Sequence, residues 1–399
     1  MKLYEEVKRC ASCLSQSLTL IHDFGYSPLA GYFPKPREVS EENRIPMQLK
    51  KCSNCELVQI SPSVDDELLF RDYRYLSRFA MNSHFEELTN WLIEKFGSNN
   101  LRVLEIGSND GTLLDKLKSS GMQVVGVDPA ENVASYAASR GHQIYCEYFS
   151  DDFVRESKIE NSFDLIISCN SFAHISEIRK VSRGVSLGLK DEGFFVVEIQ
   201  AWPELVRLGA FDFVYHEHRY YYDLHSISNL LSQFGLFLIN AEIIKSHGNS
   251  YRLIFQKNSA RKSSSEVLKS EESLTYEQIK IGINYFLNAI ATTKQKLIAL
   301  SSEHKRIVAF GASGRGNMIL AQFSTTSEIL AVFDESPERI GREMAFTGIP
   351  VRDFRELNEF EYDACLILAW NHAEEIIKKW PHQGKLLIVP FPQMFEKMT

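Results

Sequence analysis

Cys10 and Cys13, and later Cys52 and Cys55, form two Cys-x-x-Cys pairs. Together they are the donor set of a tetrahedral zinc site closed by four thiolates. Such a site has no position left for a substrate, so its expected role is folding rather than catalysis. Uncoordinated free thiols are the alternative, and the interval from Cys13 to Cys52 is longer than in a compact zinc ribbon. Cys146, Cys169 and Cys365 stand singly in apolar surroundings and read as buried, inert thiols.

A second group runs Leu104-Glu-Ile-Gly-Ser-Asn-Asp-Gly111, an apolar run passing into a turn and then a helix over Thr112 to Ser119. Gly107 and Gly111 let backbone approach a ligand, while Glu105 and Asp110 bring carboxylates that would repel a pyrophosphate. S-adenosylmethionine carries a sulfonium and an ammonium and no phosphate, so it suits this acidic turn. The next apolar run, Gln123 to Val127, ends in Asp128, placed to accept from a ribose diol. A lone glycine turn more often serves a bend; Asp128 in register behind it favours a cofactor site. Phe163 to Asn170 reads as the fourth strand of the same unit, with Asn170 to His174 emerging at its ligand-binding end.

The third group, Tyr215-His-Glu-His218, crowds histidine, carboxylate and phenol. Histidine has a reference pKa of about 6.5 and exchanges protons near neutrality, with an adjacent carboxylate to orient it. Metal ligation and a purely structural role are the alternatives. The fourth, Phe310-Gly-Ala-Ser-Gly-Arg-Gly-Asn317, is a glycine-rich turn between an expected strand and helix. It presents backbone N–H groups and a helix N-terminus to an anion such as phosphate, and a plain structural loop is the alternative.

These groups need an α/β scaffold. From Leu101 to about Lys257 short apolar runs alternate with amphipathic stretches, the pattern of a mainly parallel sheet. A polar Ser-rich stretch from Asn258 marks a boundary. Tyr276 to Glu303 has helical apolar spacing, and apolar runs at 306–310, 329–333, 365–368 and 386–389 predict a second α/β domain. The expected division is residues 1–70, 71–258 and 259–399. The formal charge of -8, with no dense basic stripe, speaks against nucleic acid as a partner. No run approaches the about 20 apolar residues that cross a bilayer, and the start has no signal-peptide core, so no membrane partner and a cytoplasmic location are expected.

Taken in order along essentially the whole chain, these motifs resemble the sugar C-methyltransferase family, typified by nucleotide-diphosphate-hexose 3-C-methyltransferases of deoxysugar biosynthesis. The likeness rests on the four paired cysteines with Ser27-Pro-Leu-Ala30, the turn Glu105 to Gly111 and the segment Gly126 to Ala134. It continues through Ala173-His174, Tyr215 to His218, His247-Gly248, Gly311 to Asn317 and Leu368-Ala-Trp-Asn371. The resemblance implies a central class I S-adenosylmethionine-methyltransferase domain of Rossmann-like fold, a small N-terminal zinc-binding module and a C-terminal Rossmann-like domain. It implies S-adenosylmethionine and structural zinc as cofactors and a nucleotide-linked 4-keto-6-deoxysugar as substrate, methylated at carbon 3. His218 would then remove the proton beside the ketone, with Tyr215, Glu217 and His174 in support. Asn109 and Pro129 join the cofactor contacts. Tyr73 or Tyr75, His216, His247 and Arg252 fall to the sugar, and Gly311, Arg315 and Asn317 to the diphosphate. The chain departs from the family at several places: Asn249 stands where it has glycine, Tyr251 where it has leucine, Arg315 where it commonly has lysine, and Phe172 and the segment from Ser324 to Leu330 also differ. An O- or N-methyltransferase of a sugar or small metabolite, and a non-catalytic nucleotide-sugar-binding protein, are the rival readings.

Overall fold

The computed structural model describes residues 3–36, 44–70, 76–98, 100–246, 249–257, 265–323 and 328–399. Its largest sheet has the strand order Leu236–Ile244, Ser250–Lys257, Leu189–Gln200, Phe163–Cys169, Arg102–Ile106, Gln123–Val127, Gln143–Tyr145. The five strands from Leu189–Gln200 to Gln143–Tyr145 are parallel, and the remaining edge is antiparallel. Strands covered on both faces need no polar alternation, which is why Arg102–Ile106 is almost wholly buried, Glu105 included. The chain turns from Arg102–Ile106 outward to Gln123–Val127, then returns on the other side with Phe163–Cys169. Ligands bind at the carboxyl ends of strands at such a switch point.

The cysteine pairs belong to an antiparallel sheet ordered Tyr220–Tyr221, Val58–Ser61, Ile45–Cys52, Leu18–Ser27. Its fourth strand comes from far along the chain, directly after Tyr215 to His218. A third sheet, Val351–Asp353, Ile329–Asp334, Ile307–Phe310, Ala364–Ile367, Leu386–Val389, Phe395–Met398, is parallel except for its last strand. The long helix runs Tyr276–Ser302, opened by a reciprocal cap between Thr275 and Gln278, and buries Ile279, Ile283, Phe286 and Ile290.

The apolar cores cut across these sheets. One cluster joins Met47, Leu49 and Ile60 to Trp202, Phe211 and Phe286 and onward to Ile307, Val332 and Leu366. Another joins Cys10, Cys52 and Cys55 to Leu104, Ile166 and Val197 of the central sheet. The N-terminal sheet is thus packed against both other sheets.

Two expectations about lone cysteines are corrected. Cys146 is exposed, because it follows the short edge strand Gln143–Tyr145 where the chain leaves the sheet. Cys169 is half-buried and donates to Glu198 Oε2 at 3.0 Å, so its surroundings are polar. Among the described residues, no helix is long and apolar enough to cross a membrane.

Candidate active site

The four paired cysteines converge. Their sulfurs all lie within 4.8 Å of one another, with Cys10 to Cys55 and Cys13 to Cys52 each at 3.5 Å. A tetrahedron of Zn–S bonds of about 2.3 Å needs sulfurs about 3.8 Å apart, so the cluster fits zinc. Both pairs close alike: Leu14 and Glu56, each directly after the second cysteine, are left-handed with φ of 63° and 65°. The amides of Leu14 and Glu56 donate to the carbonyls of Cys10 and Cys52. Two equivalent turns thus aim four thiols at one point.

The acidic turn sits at the carboxyl end of Arg102–Ile106. Gly107 has φ +74°, and a Cβ there would fall 2.6 Å from that of Ser171, so only glycine fits. Asp128 fixes the turn by accepting from the amides of Asn109 (2.8 Å) and Ala130 (3.0 Å). Asp110 and Asn109 accept from the amides of Arg78 and Ser77, both at 3.1 Å, which brings the start of the Asn82–Phe96 helix region to the site. Glu105 Oε2 and Asn170 Oδ1 are buried without a partner among the described residues. Burial, with the charges of Asp128 and Asp110 added, pushes the Glu105 carboxyl well above its ordinary value, and burial raises Asp128 too. Asp128 and Asn170 reach the cavity wall while Glu105 and Asp110 lie buried behind it; acidic groups crowded at one turn are complementary to a cation, which fits S-adenosylmethionine.

Beside it lies Tyr215 to His218. The amide of His218 donates to Tyr215 O at 2.9 Å, a tight turn that brings the two rings together at 4.0 Å. His218 is 3% exposed. Its Nδ1 lies 3.0 Å from Phe213 O; a carbonyl only accepts, so Nδ1 carries the hydrogen. In the neutral ring Nε2 is then an acceptor, and Tyr215 O–H donates to it at 2.7 Å. His174 stands edge-on to His218 at 4.8 Å, held through its carbonyl by Arg219 Nε at 3.1 Å. Glu217 Oε1 accepts from Gly31 N–H at 2.9 Å, its Oε2 has no partner among the described residues, and burial raises its carboxyl.

A cavity of about 1280 Å³ unites these groups. Gly107, Asn109, Asp128, Pro129 and Asn170 line it, as do His174, Tyr215, Glu217 and His218. Residues from the segments that follow strands of the third sheet, Arg315, Arg339 and Arg342, line it too, as does Lys35. Single small-molecule pockets span about 300–1,000 Å³, so this one has room for two ligands.

Several expected substrate residues lie elsewhere. Arg252, facing Glu198 across the sheet, is not on the cavity wall. Its Nε bonds Glu198 at 2.6 Å and its two Nη atoms bond Glu87 at 2.9 and 2.7 Å, so two carboxylates occupy the guanidinium. His216 points away from His218 and donates from Nε2 to Pro46 O at 3.1 Å; burial holds its pKa at about 4, hence neutral. Gly311 packs on Ala369. Asn317 donates to the carbonyls of Ala30 and Tyr32, both at 3.1 Å, and accepts from Ala345 N–H at 3.0 Å, tying the N-terminal segment to the third sheet. Arg315 reaches the cavity but pairs with Asp212 at 2.8 Å. Asn249 does adopt a left-handed φ of 73°, and its side chain donates to Glu204 at 2.7 Å. Tyr73, Tyr75 and His247 lie outside the described residues.

Sequence reasoning passed over Lys35, Arg339, Arg342, Arg219 and Asp212. Arg219 adjoins the Tyr215 to His218 motif and was there to be read. Arg339 and Arg342 follow the strand ending in Asp334 but form no recognisable motif.

Comparison with known proteins accounts for the chain in three consecutive pieces. A zinc-binding domain model matches residues 10–70, a methyltransferase domain residues 67–241, and a C-methyltransferase C-terminal domain residues 245–392. The C-methyltransferase NovU of Streptomyces niveus is 28% identical over 407 residues, covering 97% of this chain and 96% of that protein. An uncharacterized methyltransferase of Bacillus mycoides (strain KBAB4) is 28% identical over 109 residues, 27% of this chain and 48% of its own. Among solved structures, the magnesium protoporphyrin IX methyltransferase of Synechocystis PCC 6803 with bound S-adenosylmethionine is 14% identical. It covers 45% of this chain and 81% of that one at a TM-score of 0.35. The chain is an S-adenosylmethionine-dependent methyltransferase that carries a zinc-binding module, a methyltransferase domain and a C-methyltransferase C-terminal domain, and it is similar along its length to a C-methyltransferase.

Proposed function

We propose that the protein methylates the carbon beside the ketone of a nucleotide-diphosphate-linked 4-keto-6-deoxyhexose, at C3, with His218 as the base. The observation that carries this reading is a histidine whose Nδ1 is bound to the Phe213 carbonyl, leaving Nε2 as the nitrogen for proton transfer, in a ring that lines the same cavity as the acidic turn. C-methylation needs a base at the carbon, whereas O- or N-transfer does not need an α-proton removed.

S-adenosylmethionine, when bound, supplies an electrophilic methyl on its sulfonium. Glu105, Asp110, Asp128 and Asn170 would hold it, with Gly107, Asn109, Gly111 and Pro129 shaping the turn. Once the Tyr215 O–H turns from Nε2 to the bound sugar, His218 Nε2 takes the α-proton, and the enolate carbon left behind is the nucleophile. Glu217, raised by burial, donates a hydrogen bond to the developing enolate oxygen, and Tyr215 and His174 hold the sugar. Arg315 is held by Asp212, which is fully buried, so the diphosphate falls to Lys35, Arg339 and Arg342 beside Ser313 and Gly314, Arg339 pairing only at 3.8 Å with Asp334 and Arg342 bonding the carbonyls of Glu338 and Phe33. The working unit comprises residues 1–70, 71–258 and 259–399, with the sugar between them and zinc on Cys10, Cys13, Cys52 and Cys55.

Incubating the protein with S-adenosylmethionine and a panel of nucleotide-linked 4-keto-6-deoxyhexoses tests this. A product whose new methyl is carbon-bound at C3 by NMR is expected; a methyl on oxygen or nitrogen would overturn the reading.

A further inference from the structure

The Asp212–Arg315 pair connects the third sheet to the histidine read here as the base. Asp212 is fully buried and its Oδ2 accepts from Arg315 Nε at 2.8 Å and from Trp370 Nε1 at 2.8 Å. Arg315 lies in the first turn of the helix Gly314–Ala321, after the strand Ile307–Phe310, and Trp370 follows the strand Ala364–Ile367, so both donors stand at the carboxyl ends of strands of the third sheet. Arg315 also lies over the ring of Phe213, with Cζ 3.9 Å from its centroid. One guanidinium therefore grips two consecutive residues, Asp212 through its carboxylate and Phe213 through its ring. The carbonyl of that same Phe213 receives the Nδ1–H of His218.

We infer that Asp212, held by Arg315 and Trp370, is a positioning residue that fixes the Phe213 carbonyl and through it the Nδ1–H tautomer and orientation of His218. The two ring nitrogens of a histidine are chemically distinct, and the hydrogen bond made by one decides whether the other is free to accept. The Phe213 carbonyl lies in the peptide between Phe213 and Val214, so its direction follows the backbone and ring placement of Phe213, which Arg315 holds through the ring and, one residue earlier, through Asp212. The C-terminal domain thereby contributes to proton removal as well as to substrate binding. This inference rests on the reading of His218 as the base.

The test uses the full-length protein labelled with 15N-histidine, the His218 signals being assigned by their loss in His218→Asn. The wild type is expected to show His218 protonated at Nδ1. Asp212→Asn is expected to weaken that preference and to slow α-proton exchange about 10- to 100-fold. KM for the nucleotide-sugar and the Kd for S-adenosylmethionine are expected to move by less than about threefold, the signature of a loss confined to the chemical step. Trp370→Phe, which removes one donor and keeps a ring, should act in the same direction more weakly and covers the case in which Asp212→Asn does not fold. Arg315→Ala should lose exchange activity and recover part of it with added guanidinium ion. An unchanged His218 tautomer in every folded variant, with kcat and cofactor affinity falling and KM rising together, would overturn the inference. A wild type that is inactive on every ketosugar but keeps the Asp212-dependent His218 signal would overturn the substrate reading and support the positioning role.

Discussion

Two strand–glycine turn–helix units face the same cavity, and they use their polar side chains in opposite ways. The turn after Arg102–Ile106 keeps acceptors unspent: Glu105 Oε2 and Asn170 Oδ1 are buried and unpartnered among the described residues. The turn after Ile307–Phe310 has spent its acceptors. Arg315 is paired with Asp212, Asn317 bonds Ala30, Tyr32 and Ala345, and Ser313 Oγ caps the amide of Gly316 at 3.1 Å. A glycine-rich turn thus identifies a local backbone shape and not a ligand. Buried acceptors left without a partner distinguish the first turn, because such atoms are costly unless something satisfies them.

The largest effect expected from this contrast is Glu105→Lys. It sets a cation against a cation and should abolish cofactor binding, with affinity lost by more than about 100-fold, as read by calorimetry. Retained binding would dissolve the distinction between the two turns. Replacing Arg339 and Arg342 together by Ala should raise KM for the nucleotide-sugar by about tenfold or more and leave cofactor affinity unchanged, and a fall in cofactor affinity would show that the cationic wall serves the wrong ligand. Asn317→Ala should cost about 1–3 kcal/mol of stability by orphaning two buried carbonyls and an amide, seen as a lower Tm with unaltered KM. A raised KM without destabilisation would instead return Asn317 to the substrate.

A smaller, graded effect is expected with pH. Burial raises Glu105, so the ligand-free fold favours the protonated form. The stability this contributes is full below the ordinary glutamate pKa of about 4.3 and is lost as pH rises through the elevated folded value. A cationic ligand favours the ionised form. The Tm increase given by S-adenosylmethionine should therefore grow as pH rises above the ordinary glutamate range, and binding should release protons, measured in buffers of different ionisation enthalpy. Binding without proton release would remove Glu105 from the cofactor's charge.

Local, contiguous signals were legible in the sequence. The turn from Glu105 to Gly111 with Asp128, the two cysteine pairs, the helix over Tyr276–Ser302 and the alternation of the central domain could all be read, because neighbouring residues set strand, turn and knuckle geometry. Long-range pairing was hidden. Arg315 and Asp212 are 103 residues apart, and nothing near Arg315 shows that its charge is already matched. Arg252 meets Glu198 only through the register of two antiparallel strands. His216 and His218 look equivalent in sequence, yet one tight turn sends the second into the cavity and the first against Pro46. The fourth strand of the N-terminal sheet, Tyr220–Tyr221, is too short to carry a pattern.

The central claim is that His218 removes a proton from carbon. Its most direct test is mass spectrometry of the ketosugar incubated in deuterated water with the wild type and with His218→Asn. Deuterium entering the α-carbon with the wild type and not with His218→Asn, while cofactor binding persists in both, is the predicted result. Equal exchange in the two proteins, or methylated product formed by His218→Asn, would contradict the account.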